Sequence, residues 1–194
     1  MYSFTSDRLF IKPLAEEDKA LFISLYTNAK IMGYITKPLS SERAEKAFYN
    51  TLRMMTKSQP RIMTWAIVSS ANNETIGIQG LTWPKKKKPV SSVKEKGAAT
   101  QKGIKQVELG IIISTKYQGM GFAQEAITVL LNYGFNYILL DRVNVFYVSQ
   151  NLASKQLFDK LNFIYDMSPN NPAPERSYQY IDRQDWLAKI YLPQ

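Results

Sequence analysis

Two hydrophobic rhythms run along this chain. Leu9 and Ile11 alternate with Arg8 and Lys12, the two-residue period of a short strand over 8–12. Residues 15–28 predict a helix with Glu16, Glu17 and Asp18 in its first turn, where the helix dipole favours acids. Ser40 or Ser41 is placed to cap a second helix running to about Met55. Strands over 64–69 and 75–81 flank the turn Asn72-Asn73-Glu74 and predict a hairpin. The run Leu109-Gly110-Ile111-Ile112-Ile113 inside a strand over 107–114 predicts burial on both faces. Phe122, Ala126, Ile127, Leu130, Leu131 and Phe135 then recur at three- and four-residue spacing, a helix over 121–137. A strand over 142–148, a helix over 151–161, a strand over 163–167 and a last strand over 176–181 complete the order. Hairpin strands followed by strand-helix-strand-helix-strand predict an α/β (α+β) fold with a mixed central sheet of six to seven strands flanked by helices.

At 194 residues the chain reads as one domain, 1–194. It has no run of eighteen apolar residues and its first residues lack the apolar stretch of a secretory signal, so a soluble cytoplasmic protein without membrane contact is expected. Cysteine and histidine are both absent. Ser-His-Asp and Cys-His nucleophile systems are thereby excluded, no metal site is expected, and any acid or base is Asp, Glu, Tyr, Lys, a terminus or water. The formal charge of +9 is uneven: eight lysines against one acid, Glu95, give the segment Lys85–Lys105 +7 of it. Residues 84–105 also lack a sustained period and read as an exposed, mobile insertion. Its lysines fit a solvated loop guarding a sheet edge, a weak polyanion contact such as RNA, or attraction of an anionic ligand.

The most informative segment is strand 108–114, then Lys116-Tyr117-Gln118-Gly119-Met120-Gly121-Phe122-Ala123, then the long helix. A turn opening a helix exposes backbone N–H groups that have no internal partner, and glycines let a ligand approach them. These are the elements of a phosphate cradle. A plain tight turn is the bland alternative. No Lys-Ser or Lys-Thr follows the glycines, so a P-loop is excluded. A dinucleotide fingerprint would use Gly119 and Gly121 with Asp141 downstream, but Gln124 holds its third glycine position and too few strands follow.

At this point the chain resembles the GNAT acetyltransferases. Gln118-x-x-Gly121-x-Ala123 matches their Q/R-x-x-G-x-G/A motif. Glu108-Leu109-Gly110, Glu125-Ala126, Asn151-x-x-Ser154 and Lys160-Leu161-Asn162-Phe163 follow in the family's order. Asp7-Arg8-Leu9, Lys12-Pro13-Leu14, Asp18, Trp65-Ala66-Ile67 and Ile76-Gly77 resemble the RimJ/RimL branch, which acetylates ribosomal-protein N-termini. The resemblance covers nearly the whole chain outside the Lys-rich segment.

The resemblance implies that the fourth and fifth strands of the family fold splay apart and that acetyl-CoA lies in the cleft as co-substrate. Ile111, Ile112 and Ile113 would bond its pantetheine arm through their backbone. Gln118, Gly119, Met120, Gly121, Phe122 and Ala123 would bind its pyrophosphate. Asn151 would contact the arm, and Ser154 would sit near the sulfur and protonate the leaving thiolate. Direct attack by an amine, from a protein N-terminus or a small molecule, is the expected chemistry. Glu108 is the first candidate base and Glu175 the second. Each role has a plainer rival: Asn151 is a good helix N-cap, Ser154 can bond to its own backbone, Glu108 can pair with a lysine, and Glu125 reads as structural. Phe158 stands where many relatives carry a tyrosine acid, and Asn162 where they carry glycine. That missing tyrosine keeps a catalytically silent acyl-CoA-binding or ribosome-contacting module open. The chain is expected to be a monomer or a homodimer.

Overall fold

The computed structural model describes residues 2–84, 104–166 and 175–191. Most of the Lys-rich segment, residues 85–103, lies outside these, as does the proline-rich loop 167–174. Eight strands form one mixed sheet: β1 (Phe4–Thr5), β2 (Leu9–Pro13), β3 (Ile62–Ser69), β4 (Thr75–Thr82), β5 (Gln106–Ile113), β6 (Arg142–Val148), β7 (Ile164–Tyr165) and β8 (Arg176–Asp182), in the order β1-β2-β3-β4-β5-β6-β8-β7. The eighth strand, beyond the expected six to seven, is the two-residue β1, too short to show a period. All adjacent pairs are antiparallel except β5–β6. A sheet so dominated by antiparallel pairs is not the doubly wound sheet that a dinucleotide fingerprint requires.

Helices cover both faces. On one side α1 (Lys19–Thr27), α2 (Ala29–Met32) and α3 (Ser41–Met55) gather Phe22, Leu25 and Phe48 over Ala66 and Ile78. Ser40 caps α3 by accepting from the Arg43 N–H. On the other side α4 (Phe122–Asn136), α5 (Leu152–Lys160) and α6 (Arg183–Tyr191) close the larger core, with Ile127, Leu130, Leu131, Phe158 and Trp186 packed over Leu9, Trp65, Leu109 and Val145. Helix α6 has no strong hydrophobic period and was not anticipated. Trp186 anchors it, nearly fully buried and donating to the Asn132 side chain at 2.8 Å.

Strand β5 carries alternate residues to opposite cores. Val107, Leu109, Ile111 and Ile113 face α4, whereas Ile112 packs with the α1–α3 cluster. Glu108 and Gly110 therefore share the α1–α3 face, and both are exposed.

Candidate active site

The site begins where a ladder stops. Strands β5 and β6 pair in parallel over three rungs, Gln106 with Arg142, Val107 with Val143 and Glu108 with Asn144. Strand β5 continues to Ile113 and β6 to Val148, but no rung joins them past Glu108 and Asn144. The two strands fork, as the splayed pair expected from the sequence.

Register decides which backbone groups face the fork. Strand β5 pairs with β4 from Thr82–Glu108 to Gly77–Ile113, and the Ser114 N–H donates to the Ile76 carbonyl at 2.9 Å. In an antiparallel ladder, hydrogen-bonded and non-hydrogen-bonded pairs alternate. Glu108, Gly110 and Ile112 therefore bond to β4, and Leu109, Ile111 and Ile113 turn their N–H and C=O groups toward β6. The Ile113 carbonyl accepts from the Gln118 side chain at 2.9 Å. The fork-facing set is thus the Leu109 carbonyl, Ile111 and the Ile113 amide, not the consecutive run Ile111–Ile113: Ile112 is committed to Ile78, and the Leu109 N–H is used by the last parallel rung, to Asn144. Leu109 was missed because the residue type carries no trace of backbone direction; only the pairing register reveals it. A Cβ added to Gly110 would meet nothing within 4 Å, so the strand is uncrowded at the fork.

The turn after β5 lies beside the fork. A short 3-10 helix over Thr115–Tyr117 leads through Gln118 and Gly119 to Gly121, the N-cap of α4. Gly119 has φ +77° and Gly121 φ +81°, left-handed values that strain any residue with a side chain. No side chain caps α4, so the leading amides of the helix have no cap partner. Phe122 is half-buried and held edge-on to Tyr117. Ala123 packs against the core and Met120 is exposed. The structure brings Gln118 to Ala123 together as one turn, but the Gln118 N–H, expected to bind pyrophosphate, is already given to the Thr115 carbonyl at 3.4 Å, so the donors left at the positive end of the helix dipole are those of Gly119 to Ala123, a set that suits a diphosphate.

Across the fork, β6 leads into α5. The Asn151 side chain accepts from the Ser154 N–H at 3.0 Å and caps α5, the plainer of its two expected roles. Its amide nitrogen makes no hydrogen bond among the described residues. Ser154 is half-buried, and its hydroxyl meets no partner among the described residues. One turn on, Phe158 is buried against Tyr147 and Phe163, so no phenol occupies that position. Asn162 adopts φ +64°, the left-handed C-cap expected of an asparagine in place of glycine.

Glu108 stands at the crotch of the fork. Desolvation by the surrounding protein raises its carboxyl above the ordinary glutamate range, and Arg176 opposes that through space without cancelling it. The carboxylate makes no hydrogen bond among the described residues. Glu175 lies just before β8, and its carbonyl accepts from the Ser149 N–H at 3.0 Å. Glu125, read as structural, takes Ser6 and Arg8 as partners. Among the described residues no group of three His, Cys, Asp or Glu side chains is placed to hold a metal ion, and no helix is long and apolar enough to cross a membrane.

Comparison with known proteins agrees with this architecture. Residues 8–164 match the family model described as an acetyltransferase (GNAT) domain. An uncharacterized N-acetyltransferase, YoaA of Bacillus subtilis (strain 168), is 24% identical over 166 residues, spanning 81% of this chain and 80% of that protein. Among solved structures, the spermidine N-acetyltransferase of Vibrio cholerae in complex with CoA and spermine superposes with a TM-score of 0.73 at 19% identity over 94% of this chain and 99% of that one. A GNAT-family acetyltransferase of Bacillus anthracis gives a TM-score of 0.72 at 16% identity over the same shares.

Proposed function

This chain belongs to the GNAT acetyltransferase family, and from that premise we propose that it moves the acetyl group of acetyl-CoA to a primary amine at the fork between β5 and β6. The observation that carries the reading is the broken ladder. Leu109 and Ile111 offer backbone groups to the gap, next to a turn of unpartnered amides and beside a carboxyl held above its ordinary pKa. An extended, amide-bearing arm ending in a diphosphate is the ligand that such a row of groups satisfies.

In this reading the amides of Gly119 to Ala123 hold the diphosphate. The Leu109 carbonyl, Ile111, the Ile113 N–H and the Asn151 amide nitrogen hold the arm. The coenzyme supplies an activated thioester. Its acyl carbon meets the amine nitrogen as the carbon–sulfur bond breaks, with a β5 N–H positioned to stabilise charge on the carbonyl oxygen. Glu108 accepts the proton that the amine sheds, directly or through water. Its raised pKa makes it a stronger base than an ordinary carboxylate. The Ser154 hydroxyl gives its proton to the departing sulfur and takes one back from solvent, a role left to it because Phe158 has no hydroxyl.

The acceptor is a primary amine. A protein N-terminus, with a pKa near 8, is deprotonated more readily than a lysine-type amine near 10.4. The resemblance to the RimJ/RimL branch favours such an N-terminus, and the likeness to a spermidine N-acetyltransferase brings polyamines into the same test. The experiment is thiol release from acetyl-CoA across a panel of N-terminal peptides, polyamines and aminoglycosides. Amine-dependent release with an acetylated product supports the proposal. Tight acetyl-CoA binding without release for any amine would favour a silent acyl-CoA-binding module.

A further inference from the structure

The turn Gln118–Ala123 is braced from behind by a residue 112 positions away in sequence. Arg8, in the connection between β1 and β2, donates from Nε to Glu125 Oε2 at 2.7 Å, and its Nη2 lies 2.6 Å from the same oxygen. Its Nη1 donates to the Met120 carbonyl at 3.1 Å. The Arg8 backbone N–H and the Ser6 hydroxyl both donate to Glu125 Oε1, at 2.9 and 2.7 Å. The guanidinium carbon lies 4.5 Å from the centroid of the Phe122 ring. Arg8 thus touches the residues on both sides of Gly121, and a Cβ built on Gly121 would come within 3.4 Å of its Nη2.

We propose that Arg8 is a positioning residue for the coenzyme diphosphate: with Glu125 it fixes the Met120–Gly121 peptide so that the Gly121 N–H faces the ligand. The reason lies in the peptide plane. Among the described residues no peptide is cis, and in a trans peptide the carbonyl and the next N–H point in opposite directions. Holding the Met120 carbonyl toward Arg8 turns the Gly121 N–H away from it. Glycine at φ +81° is otherwise free to flip between peptide orientations, so a fixed external donor is what selects one. Glu125 orients that donor. Desolvation works against its charge, but the hydrogen bonds from Ser6 and Arg8 prevail and hold its carboxyl below the usual range. The planar fork of arginine reaches the carboxylate and the carbonyl together; lysine, a single point donor, cannot span both.

The inference rests on the reading that the diphosphate binds at this turn, and the test separates the two. Wild type, Arg8→Lys and Glu125→Gln are assayed with acetyl-CoA and with acetyl-pantetheine, which carries the thioester but no diphosphate. Wild type should prefer acetyl-CoA; no preference would sink the diphosphate reading itself. Arg8→Lys should raise KM for acetyl-CoA about tenfold with kcat little changed, and leave KM for acetyl-pantetheine unaltered. Glu125→Gln should show the same split more weakly. If Arg8→Lys behaves as wild type, the charge alone suffices and positioning is wrong. If both thioesters suffer equally, or only the melting temperature moves, Arg8 is merely a strut between β2 and α4. Should Arg8→Lys fail to fold, Glu125→Gln alone decides by the same comparison.

Discussion

Glu108 faces Asn144 across the last rung of the β5–β6 ladder, so the strands part at the carboxyl proposed to take up the acceptor's proton. Asn144 is held in turn: its side-chain oxygen Oδ1 accepts from the Tyr178 hydroxyl at 2.7 Å, and its side-chain Nδ2 donates to the Gln106 side chain at 3.1 Å. The fork therefore has a fixed origin.

Glu108→Gln keeps the shape of this residue and removes the base. We expect kcat to fall by about 10²-fold or more, and the acidic limb of the pH–rate profile to disappear. Stability should respond with the opposite sign. The folded-state pKa is raised, so the contribution of Glu108 is fully present below the unfolded value and is lost as pH rises through the folded one. Glu108→Gln should thus be at least as stable as wild type at pH 7. Urea titrations at pH 4 and pH 7 check this, and a variant less stable at pH 7 would indicate a favourable ion pair instead.

Gly121→Val places a β-branched side chain at φ +81°, which costs about 1–2 kcal/mol in backbone strain, and crowds the Arg8 guanidinium. Acetyl-CoA affinity should drop at least tenfold with the far-ultraviolet circular dichroism near wild type. Unchanged affinity, measured by calorimetry, would move the phosphate cradle elsewhere.

Asn151 and Ser154 separate by readout. Asn151→Ala removes the cap of α5 and should cost about 1 kcal/mol of stability. Ser154→Ala leaves the capped N–H intact and should lower kcat while sparing both stability and acetyl-CoA affinity. A Ser154→Ala variant with full kcat would return that hydroxyl to a bystander role.

The sequence carried much of this site because its signals are local. The glycine turn, the apolar run of β5 and the asparagine that caps α5 can each be read within a few residues of chain. What it withheld depends on pairing over long distances. Nothing in the string Leu109-Gly110-Ile111-Ile112-Ile113 says which amides face β4, since that follows from partnering Gly77–Thr82. The Arg8–Glu125 pair spans 117 residues, and Glu125 alone reads as an ordinary first-turn acid. Strand β1 and helix α6 were hidden for another reason: one is two residues long and the other is held chiefly by Trp186.

The most direct test of the fork is amide hydrogen exchange with and without acetyl-CoA. The account predicts that acetyl-CoA slows exchange at Ile111 and Ile113 and at Gly119 to Ala123 by at least about tenfold, whereas Ile112, already bonded to β4, and Leu109, already bonded to β6, change little. Protection that spares β5, or that slows Ile112 as much as Ile111, would contradict it.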